Sequence, residues 1–417
     1  LYAGVPSMGA VLHTLNLRLS AEQAVYIMNH AEDKVVFVDA SVAPLLQNYV
    51  PEVPSVKDVV VVNGPKDAFT APEGVTVHSW DELLEGESAQ YDWPDLDERA
   101  AAAMCYTSGT TGDPKGVVVS HRGLANFAED MRTRFGVTRR SRTLHFSSPS
   151  FDASVLEFLL AFGSGAAMVI APTSVIGGAE LASVLRDGEV THAFITPAAM
   201  GSVNPEGLDT VVCVATGGDV CPPELVRQWV TPNRRMFNAY GTTETTVVSS
   251  VTDSMDPRET VTIGRPPLGC GEMVLDSRLH PVPTGVAGEL YVTGAGLARG
   301  YHARSATTSD RFIANPFGEP GERMYRTGDL ARWNASGRLE YLGRSDFQVK
   351  VRGFRIELGE IEAVLADHPS VARAVVTARG QGNGPVRLVG YVVPAEGATV
   401  DKAAVRAHAE TRLAPYM

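Results

Sequence analysis

Eleven consecutive residues, 106–116, have the composition of a phosphate-binding loop: Tyr-Thr-Ser-Gly-Thr-Thr-Gly-Asp-Pro-Lys-Gly. Such a segment offers almost no apolar side chains with which to build a core. Backbone N–H groups exposed at the glycines, the hydroxyls and the ammonium of Lys115 can together surround a polyanion. The spacing differs from the Walker pattern, because Pro114 stands where that pattern has its second glycine. Apolar runs on both sides argue against a flexible linker, and we interpret the segment as a phosphate-binding loop.

A second cluster, Asn-Ala-Tyr-Gly-Thr-Thr-Glu at 238–244, combines an aromatic ring, hydroxyls and one carboxylate. Tyr240 can stack on a purine, Thr243 can donate to a phosphate, and Glu244 offers a hard oxygen ligand for magnesium. A polar turn with a capping glutamate would contain the same residues. The cluster therefore indicates a nucleotide site without excluding a structural turn.

A third cluster, Tyr-Arg-Thr-Gly-Asp-Leu at 325–330, places Asp329 directly after a tight turn. A carboxylate in that position can accept hydrogen bonds from both hydroxyls of a ribose. An aspartate that only stabilises its own turn gives the same pattern. Both interpretations stay open at this point.

Helical and strand patterns alternate in the regions that must position these clusters. The first hundred residues predict a helix at 21–31 with Ser20 as N-cap, a strand at 34–38, a helix at 42–49 and a strand at 59–62. This alternation is typical of a parallel α/β architecture. The acidic, weakly periodic stretch 65–97 is interpreted as a surface connection.

The alternation continues after Met104 and then gives way to short strands and turns. We predict helices at 123–135, 155–162, 179–186 and 223–229, strands at 167–170, 192–195 and 210–215, and a β-rich lobe at about 261–341. A small α+β unit follows, with helices at 358–366 and 402–413 and strands at 371–378 and 388–393. The predicted fold class is α/β: a large N-terminal domain of α/β layers plus the β-rich lobe, followed by a small, truncated α+β C-terminal domain. The predicted domains are 1–345, ATP- and substrate-binding with an incomplete N-terminus, and 346–417, small and mobile.

Composition excludes several classes of function. The 417 residues are 44% hydrophobic and 20% charged, typical of a globular enzyme, and the net charge of −12 argues against binding nucleic acid. The four cysteines form no C-x-x-C pair, which favours reduced thiols in the cytoplasm over zinc or disulfides. The uncharged stretch 158–179 is broken by glycines and a proline, so we expect a buried helix, a turn and a strand, and no membrane span.

The clusters stand in one order along the chain, together with Gly-Glu-Leu-Tyr-Val-Thr-Gly at 288–294 and the segment from Gly343-Arg344-Ser345-Asp346 to Glu360. In that order they resemble the adenylate-forming superfamily of acyl-CoA ligases, luciferases and nonribosomal peptide synthetase adenylation domains. The resemblance runs from Leu1 to Met417. From Met104 onward it is greatest to the peptide synthetase domains, because residues 296–301 and 348–353 are close to their motifs.

The resemblance implies a reaction in two steps. A carboxylate attacks the α-phosphorus of ATP, giving an acyl-adenylate and pyrophosphate, and the phosphopantetheine thiol of a peptidyl carrier protein domain then takes the acyl group. Lys115, Glu244 and Asp346 are the implied catalytic residues, with Glu244 binding Mg²⁺ and Asp346 acting as the hinge between the half-reactions. The implied ATP-binding residues are Thr107, Ser108, Gly109, Thr110, Thr111, Lys115, Asn238, Tyr240, Gly241, Thr243, Asp329 and Arg344.

The resemblance also implies an amino acid substrate. Asp152 stands at the family position whose carboxylate pairs with a substrate α-ammonium, and an unpaired buried carboxylate would reject acids without the amine. A helix N-cap is the alternative role for this aspartate. The other implied pocket residues carry no charge, which favours a medium-to-large apolar amino acid such as leucine or phenylalanine: Ala153, Leu156, Phe194, Ala215, Gly217, Ala239, Val247 and Val248.

Two features depart from the peptide synthetase pattern. Residues 1–97 are more like an acyl-CoA ligase, notably at 9–16 and 27–33, and Thr242 stands where the synthetase domains usually have proline. A fatty or aryl acyl-CoA ligase is therefore the alternative hypothesis, which Asp152 disfavours. Recombination or engineering near the phosphate loop would explain why the two parts of the chain resemble different subfamilies, and so would ordinary divergence.

The chain ends, at 413–417, in a segment that in the family precedes a catalytic lysine. The resemblance thus implies that the 417-residue chain binds ATP and amino acid but forms adenylate slowly. Lys350 lies in a different motif and does not replace that lysine. A non-catalytic nucleotide-binding or interaction module is a third hypothesis, favoured only by the missing lysine.

Overall fold

A computed structural model describes residues 1–107, 114–346, 348–351, 354–379 and 387–417. Within these ranges the chain forms twelve α-helices, α1 to α12 in chain order: Gly4–Ser7, Ala21–Ala31, Ala43–Leu46, Trp80–Leu84, Leu124–Phe135, Ala153–Phe162, Gly178–Asp187, Pro197–Gly201, Pro223–Trp229, Ser305–Arg311, Leu358–Ala366 and Lys402–Arg412. Strands β1 to β22 are, in chain order: Leu12–His13, Val35–Asp39, Asp58–Val62, Thr76–Ser79, Ala101–Thr107, Lys115–Ser120, Arg142–His145, Ala167–Ile170, His192–Phe194, Cys213–Gly217, Arg235–Tyr240, Ser250–Val251, Cys270–Leu275, Gly288–Gly294, Gly300–Tyr301, Phe312–Ala314, Arg323–Trp333, Leu339–Arg344, Gln348–Val351, Phe354–Glu357, Val371–Arg379 and Arg387–Pro394.

The elements group into two compact units. The first contains Leu1–Asp97, Ala102–Gly116 and Leu358–Met417, and the second contains Glu98–Ala101 and Val117–Glu357. The second unit continues to Glu357 and contains both Arg344 and Asp346. The predicted domain boundary after residue 345 therefore does not coincide with a boundary between these units and stays a prediction.

The first unit is built around a parallel sheet in the order β2, β3, β4. Helix α2 begins after Ser20, whose hydroxyl accepts a hydrogen bond from the backbone N–H of Gln23 at 3.2 Å, and ends at Glu32, which has a left-handed φ of 55°. Its buried face packs Ala24 and Met28 against the valines of β3. The predicted helix 21–31 is confirmed at both ends.

The interpretation of 65–97 as connection is wrong in part, because this stretch contains β4 and α4. Thr76–Ser79 has only one strongly apolar residue, so its pattern does not indicate a strand. Parallel pairing with β3 forms the strand instead. Tertiary pairing has here overridden a weak local preference.

The C-terminal residues contribute a helix–hairpin–helix to the first unit. Strands β21 and β22 pair in antiparallel fashion, α11 packs on β21, and α12 contacts both α11 and α2. The amide of Gln23 on α2 donates a buried hydrogen bond of 3.1 Å to Glu360 on α11. The helices predicted at 358–366 and 402–413 are observed, the second ending one residue earlier.

The second unit contains a six-stranded sheet in the order β12, β11, β10, β9, β7, β8. Its pairings are parallel except for β12, which runs antiparallel to β11. Successive side chains of a strand point to opposite faces, so each face carries its own apolar cluster. One cluster packs Leu181, Leu225 and Trp229 of α7 and α9 under Val214 and Met236.

The opposite face carries a second cluster, which we call the α5–α6 core. Phe127 and Met131 of α5 and Leu156 and Leu160 of α6 pack there against strand residues such as Phe237. Helix α6 therefore stands at the end of β7 with one face against the sheet. The turn between β7 and α6 contains Asp152.

The rest of the second unit is rich in strands, as predicted. Strands β13, β14, β17 and β16 form an antiparallel sheet, with β18 also paired to β17, and β19 and β20 form a separate hairpin. A layered α/β domain with a β-rich lobe and an α+β C-terminal portion is therefore confirmed. In the described ranges we find no helix with the length and apolar character needed to traverse a bilayer.

Candidate active site

The loop between β7 and α6 is held by one buried glutamate. The carboxylate of Glu157 accepts hydrogen bonds from Nδ1 of His145 at 2.6 Å, from the backbone N–H groups of Phe146 and Ser147 at 3.1 and 3.0 Å, and from the Ser147 hydroxyl at 2.8 Å. The residue is 1% exposed. At the other end of the loop, the Ser154 hydroxyl donates to the carbonyl of Phe151 at 2.7 Å. Both ends of the loop are thus bonded to the first turns of α6.

Asp152 leaves this loop at the N-cap position of α6, but its side chain makes no capping hydrogen bond. Burial raises the pKa of this carboxyl, a hydrogen bond to Thr243 opposes the rise, and the nearby charges of Glu244 and Arg355 act in opposite directions. The backbone N–H of Ala153, the first residue of α6, also hydrogen-bonds this carboxyl, so the N-cap alternative stays open. Asp152 faces the turn that contains Thr243 and Glu244.

That turn follows β11 and is sterically constrained. A Cβ at Gly241 would lie 2.1 Å from the carbonyl oxygen of Val247, so only glycine permits the backbones to approach this closely. Thr246 and Val247 have positive φ angles of 59° and 70°, which β-branched residues rarely adopt. Backbone strain of this kind concentrates at functional sites.

Glu244 itself is fully buried and bonded on both oxygens. The Tyr301 hydroxyl donates to Oε1 at 2.7 Å, and Nη1 of Arg355 lies 3.1 Å from Oε1 and 2.9 Å from Oε2. The backbone N–H of Ala298 donates to the Glu244 carbonyl at 2.9 Å. The backbone N–H of Arg299 donates to the carbonyl of Val118 at 2.8 Å. Residues 298–301, which we call the bridge segment, therefore join the Glu244 turn to the strand that follows the phosphate loop.

Asp329 forms a second buried polar centre with Tyr240 and Arg344. The Tyr240 hydroxyl donates to Oδ2 of Asp329, and Nη1 of Arg344 donates to Oδ1 at 2.8 Å. Burial, followed by the Asp329 charge, raises the pKa of Tyr240 well above its ordinary range, so the phenol stays protonated.

Arg344 also binds Asp346, through Nε at 2.6 Å and Nη2 at 2.9 Å, and Arg311 lies 3.4 Å from the same carboxylate. Burial alone would raise the pKa of Asp346, but the hydrogen bonds and charge of Arg344 outweigh it and lower the pKa. The predicted ribose residue and the predicted hinge residue are thus linked through one guanidinium.

Two further groups lie around the Tyr240 ring. The Lys350 ammonium lies 5.6 Å from the ring centroid, and burial lowers the pKa of this lysine although the Asp329 charge opposes the shift. The side-chain amide of Asn238 donates to the Thr262 carbonyl at 2.8 Å, so one of its two N–H donors is used within the protein.

Glu272 on β13 is a buried carboxyl of a different kind. Neither carboxylate oxygen has a good hydrogen-bond partner among the described residues. Burial raises its pKa to about 8, and the nearby Ser250 hydroxyl offsets only part of that shift. The carboxyl is therefore mostly neutral near pH 7.

The predicted pocket residues come together at the α5–α6 core. A Cβ at Gly217 would lie 3.1 Å from Cζ of Phe194 and 2.6 Å from the Ala239 carbonyl oxygen, so this glycine is closely covered. Members of the core or residues packed against it are Ala153, Leu156, Phe194, Ala215, Ala239, Val247 and Val248.

The phosphate loop is only partly described. Ser108, Gly109, Thr110 and Thr111 lie outside the described residues; Thr107 ends β5, and Lys115 begins β6 and is 3% exposed. In the first unit, the Tyr106 hydroxyl lies 2.6 Å from Nδ1 of His30. A Cβ at Gly116 would lie 3.0 Å from Cζ of Tyr106, so the first and last residues of the segment are in contact.

Sequence reasoning did not assign a role to three residues of this site: Glu157, Tyr301 and Arg355. Tyr301 and Arg355 lie in the motifs at 296–301 and 343–360, but nothing in those motifs indicates that the two side chains bond Glu244. Glu157 had a usable signal, since it is the only charged residue in an otherwise apolar α6.

Comparison with known proteins identifies the family. A family model described as AMP-binding enzyme matches residues 1–302, and one described as AMP-binding enzyme C-terminal domain matches residues 360–417. The phosphinothricin tripeptide synthetase PhsC of Streptomyces viridochromogenes is 40% identical over 412 residues, covering 98% of this chain and 36% of that protein. The probable non-canonical nonribosomal peptide synthetase CymA of Salinispora arenicola is 54% identical over 300 residues, 71% of this chain and 4% of that protein. The chain thus spans well under two thirds of the length of these relatives.

Solved structures have the same fold. The adenylation domain AlmE of Vibrio cholerae, in complex with glycyl-adenosine-5'-phosphate, matches with a TM-score of 0.85 at 22% identity, covering 100% of this chain and 81% of that one. The four-domain nonribosomal peptide synthetase AB3403, bound to AMP and glycine, matches with a TM-score of 0.67 at 30% identity, covering 100% of this chain and 29% of that one. The chain belongs to the AMP-binding enzyme family, as an adenylation domain of the nonribosomal peptide synthetase type.

Proposed function

We propose that the chain activates an amino acid as its aminoacyl-adenylate and then transfers the aminoacyl group to a thiol. The observation that carries this proposal is the position of Asp152, whose carboxyl is hydrogen-bonded to Thr243 and lies near Glu244 beside the α5–α6 core. A carboxylate at the edge of an apolar pocket is suited to a substrate that has both an ammonium group and an apolar side chain. The bound AMP and glycine of AB3403, 30% identical, support the same class of substrate.

The proposed first step is an attack of a substrate carboxylate oxygen on the α-phosphorus of ATP. The bond from that phosphorus to the bridging oxygen breaks, and pyrophosphate leaves. Lys115 and the loop residues from Thr107 to Thr111 would hold the β,γ-phosphates, with Tyr240, Gly241 and Asn238 near adenine and Asp329 and Arg344 near ribose. Such transfer depends mostly on positioning and charge neutralisation, which these residue types supply.

Magnesium fits this arrangement on the chemistry of Glu244. Magnesium is commonly bound by one or two carboxylates together with substrate phosphates and water, so one buried hard oxygen ligand is sufficient. In the described part of the chain no group of three or more histidine, cysteine, aspartate or glutamate residues could hold a metal by itself. Glu244 would hold the ion jointly with the nucleotide, and the ion would neutralise phosphate charge.

The substrate side chain is proposed to be apolar and of medium to large size. The residues of the α5–α6 core that are proposed to line the substrate pocket are apolar, and Phe194 covers Gly217 on one side. The small side chains of Ala215 and Ala239 are proposed to make room for the substrate side chain. Leucine, phenylalanine and related amino acids match these surroundings best.

The second step is proposed to use the phosphopantetheine thiol of a carrier domain. The thiol sulfur attacks the acyl carbon, the bond to AMP breaks, and the thiol proton is released. Asp346 is proposed as the hinge residue between the two steps, with its carboxylate held by Arg344 in the observed state. The four free cysteines support a reducing, cytoplasmic compartment.

Isotope exchange between pyrophosphate and ATP tests the proposal on the full-length protein. Separate panels of amino acids and of fatty and aryl acids should give exchange with an apolar amino acid. Asp152→Ala should lower the amino-acid-dependent kcat/KM by about 30- to 1,000-fold, the effect of removing one partner of a buried charge pair. ATP binding should change little.

Asp152→Asn is the matched control, because it keeps the volume and removes only the charge. Loss in both variants supports an ammonium contact, whereas loss in Asp152→Ala alone would indicate a packing role. Exchange with fatty or aryl acids only would establish the acyl-CoA ligase alternative. Exchange with no acid would establish a non-catalytic module.

A further inference from the structure

Arg355 places one positive charge beside two carboxylates of the candidate site. Its Nη1 lies 2.9 Å from Oε2 and 3.1 Å from Oε1 of Glu244; the Glu244 side chain is fully buried and the Arg355 side chain is 17% exposed. The same guanidinium charge favours the ionised form of Asp152, while Glu244 disfavours it. Arg355 is therefore a counter-ion of Glu244, and its charge also acts on the neighbouring Asp152.

The hairpin of β19 and β20 holds Arg355 in that place. Phe354, the preceding residue, packs its ring edge-on against Phe151 with centroids 5.5 Å apart, next to Asp152. Arg355 pairs across the hairpin with Lys350, whose ammonium lies over Tyr240. One short hairpin thus brings two cations and one aromatic ring to the residues proposed to bind ATP and the amino acid.

Glu244 and Asp152 are also the two residues proposed to bind the positively charged groups of the ligands. A divalent cation at Glu244 and an ammonium group at Asp152 would bring three positive charges beside two carboxylates. The Arg355 guanidinium could not stay in contact with Glu244 without like-charge repulsion and without competing for the same oxygens. Arg355 and the cationic ligands must therefore exclude one another.

We propose that Arg355 is a specificity-determining residue that occupies the cation position at Glu244 and must be displaced by a divalent cation, with displacement favoured further by an ammonium group at Asp152. The part of this proposal that concerns the ammonium group rests on the proposed function. The competition between Arg355 and the divalent cation does not depend on it. It predicts that Arg355 weakens the binding of Mg²⁺ alone. It also predicts positive coupling between the binding of Mg²⁺ and of an amino acid, since each ligand weakens the electrostatic attraction that holds Arg355 beside the two carboxylates.

The test measures the binding of Mg²⁺ alone by calorimetry and by the rise in melting temperature with MgCl₂. Arg355→Met keeps much of the side-chain volume and removes the charge, and it should bind Mg²⁺ about tenfold or more tightly than the unmodified chain, within the range of typical coupling factors. Arg355→Lys keeps the charge and should bind Mg²⁺ weakly. Arg332→Met is the matched control, because Arg332 forms an ion pair of 2.8 Å with Glu340 and contacts neither Glu244 nor Asp152 through it. This variant should leave Mg²⁺ binding unchanged.

Arg355→Met removes the positive charge of the guanidinium beside Glu244 and Asp152, so we expect its folding to depend on Mg²⁺. Recovery of a folded melting transition on adding MgCl₂ would then support the proposal. The double variant Glu244→Gln/Arg355→Met removes the competing carboxylate as well, and it should fold without Mg²⁺ and show no Mg²⁺ response. Equal Mg²⁺ affinity in Arg355→Met and the unmodified chain would overturn the proposal, as would a Mg²⁺ response in the double variant.

A second measurement needs no variant. Hydrogen exchange of the unmodified chain, with Mg²⁺ and the non-hydrolysable analogue α,β-methylene-ATP, should accelerate at 354–357 as Arg355 leaves Glu244. Unchanged or slower exchange there would overturn the proposal. A chain that fails the pyrophosphate exchange test can still pass both Mg²⁺ tests, so the two failures are distinguishable.

Discussion

Replacing Glu157 by alanine should destabilise the second unit and displace Asp152. The change leaves two backbone N–H groups and the His145 ring N–H without their acceptor. Each unsatisfied buried donor costs about 1–3 kcal/mol. Water entering the vacated space would recover part of the sum, so we expect a loss of about 3–4 kcal/mol in the free energy of unfolding of this unit.

Urea unfolding, followed through hydrogen exchange at 142–162, measures this loss. Glu157→Gln keeps the volume and one acceptor oxygen, and we expect about half the effect. Glu224→Ala is the control, because Glu224 forms an exposed pair with Arg227 and should change stability by no more than about 0.5 kcal/mol. Glu157→Gln should also raise the amino acid KM more than it lowers kcat, since the loop positions Asp152. A loss below about 1 kcal/mol in Glu157→Ala would refute the reasoning.

Two other predictions concern Gly241 and Glu272. Gly241→Ala should cost about 3 kcal/mol, because its Cβ would lie 2.1 Å from the Val247 carbonyl oxygen. Gly201→Ala, with only an ordinary 3.5 Å contact, is the control in a thermal melt, and equal losses would contradict the steric argument. The pKa of Glu272 is raised to about 8 from an ordinary value of 4.5, so between these values the folded chain holds a proton that the unfolded chain releases. Stability should therefore fall as pH rises through this window, and Glu272→Gln should remove a slope of about 1 kcal/mol per pH unit in urea unfolding between pH 5 and 9. The same slope in the variant would show that another group is responsible.

Local signals explain how much of the fold was predictable. The helix over 21–31 has an N-cap serine, a buried face of helical period and a polar residue that ends it, and its bounds were predicted correctly. Strand β4 has no comparable signal and exists through its pairing with β3. Elements formed mainly by tertiary pairing are the ones that the pattern of the sequence missed.

The types of residue in the candidate site could be predicted from the sequence, but the contacts between their side chains could not. The sequence placed Asp152 and Glu244 in separate motifs, and the structure brings them to facing turns. The partnership of Glu244 with Arg355 joins residues 111 positions apart. It depends on which face of a four-residue strand points to the site, and that orientation is decided by hairpin register rather than by any local pattern.

The bridge segment also limits how the chain length can vary. Ala298 and Tyr301 contact the Glu244 turn, while Arg299 and Gly300 pair with Val118. Because successive strand residues face opposite ways, inserting or deleting one residue here would turn the Tyr301 hydroxyl away from Glu244 or break the pairing. Length variation among homologous chains should therefore be absent at 298–301 and accumulate at exposed turns such as 334–338.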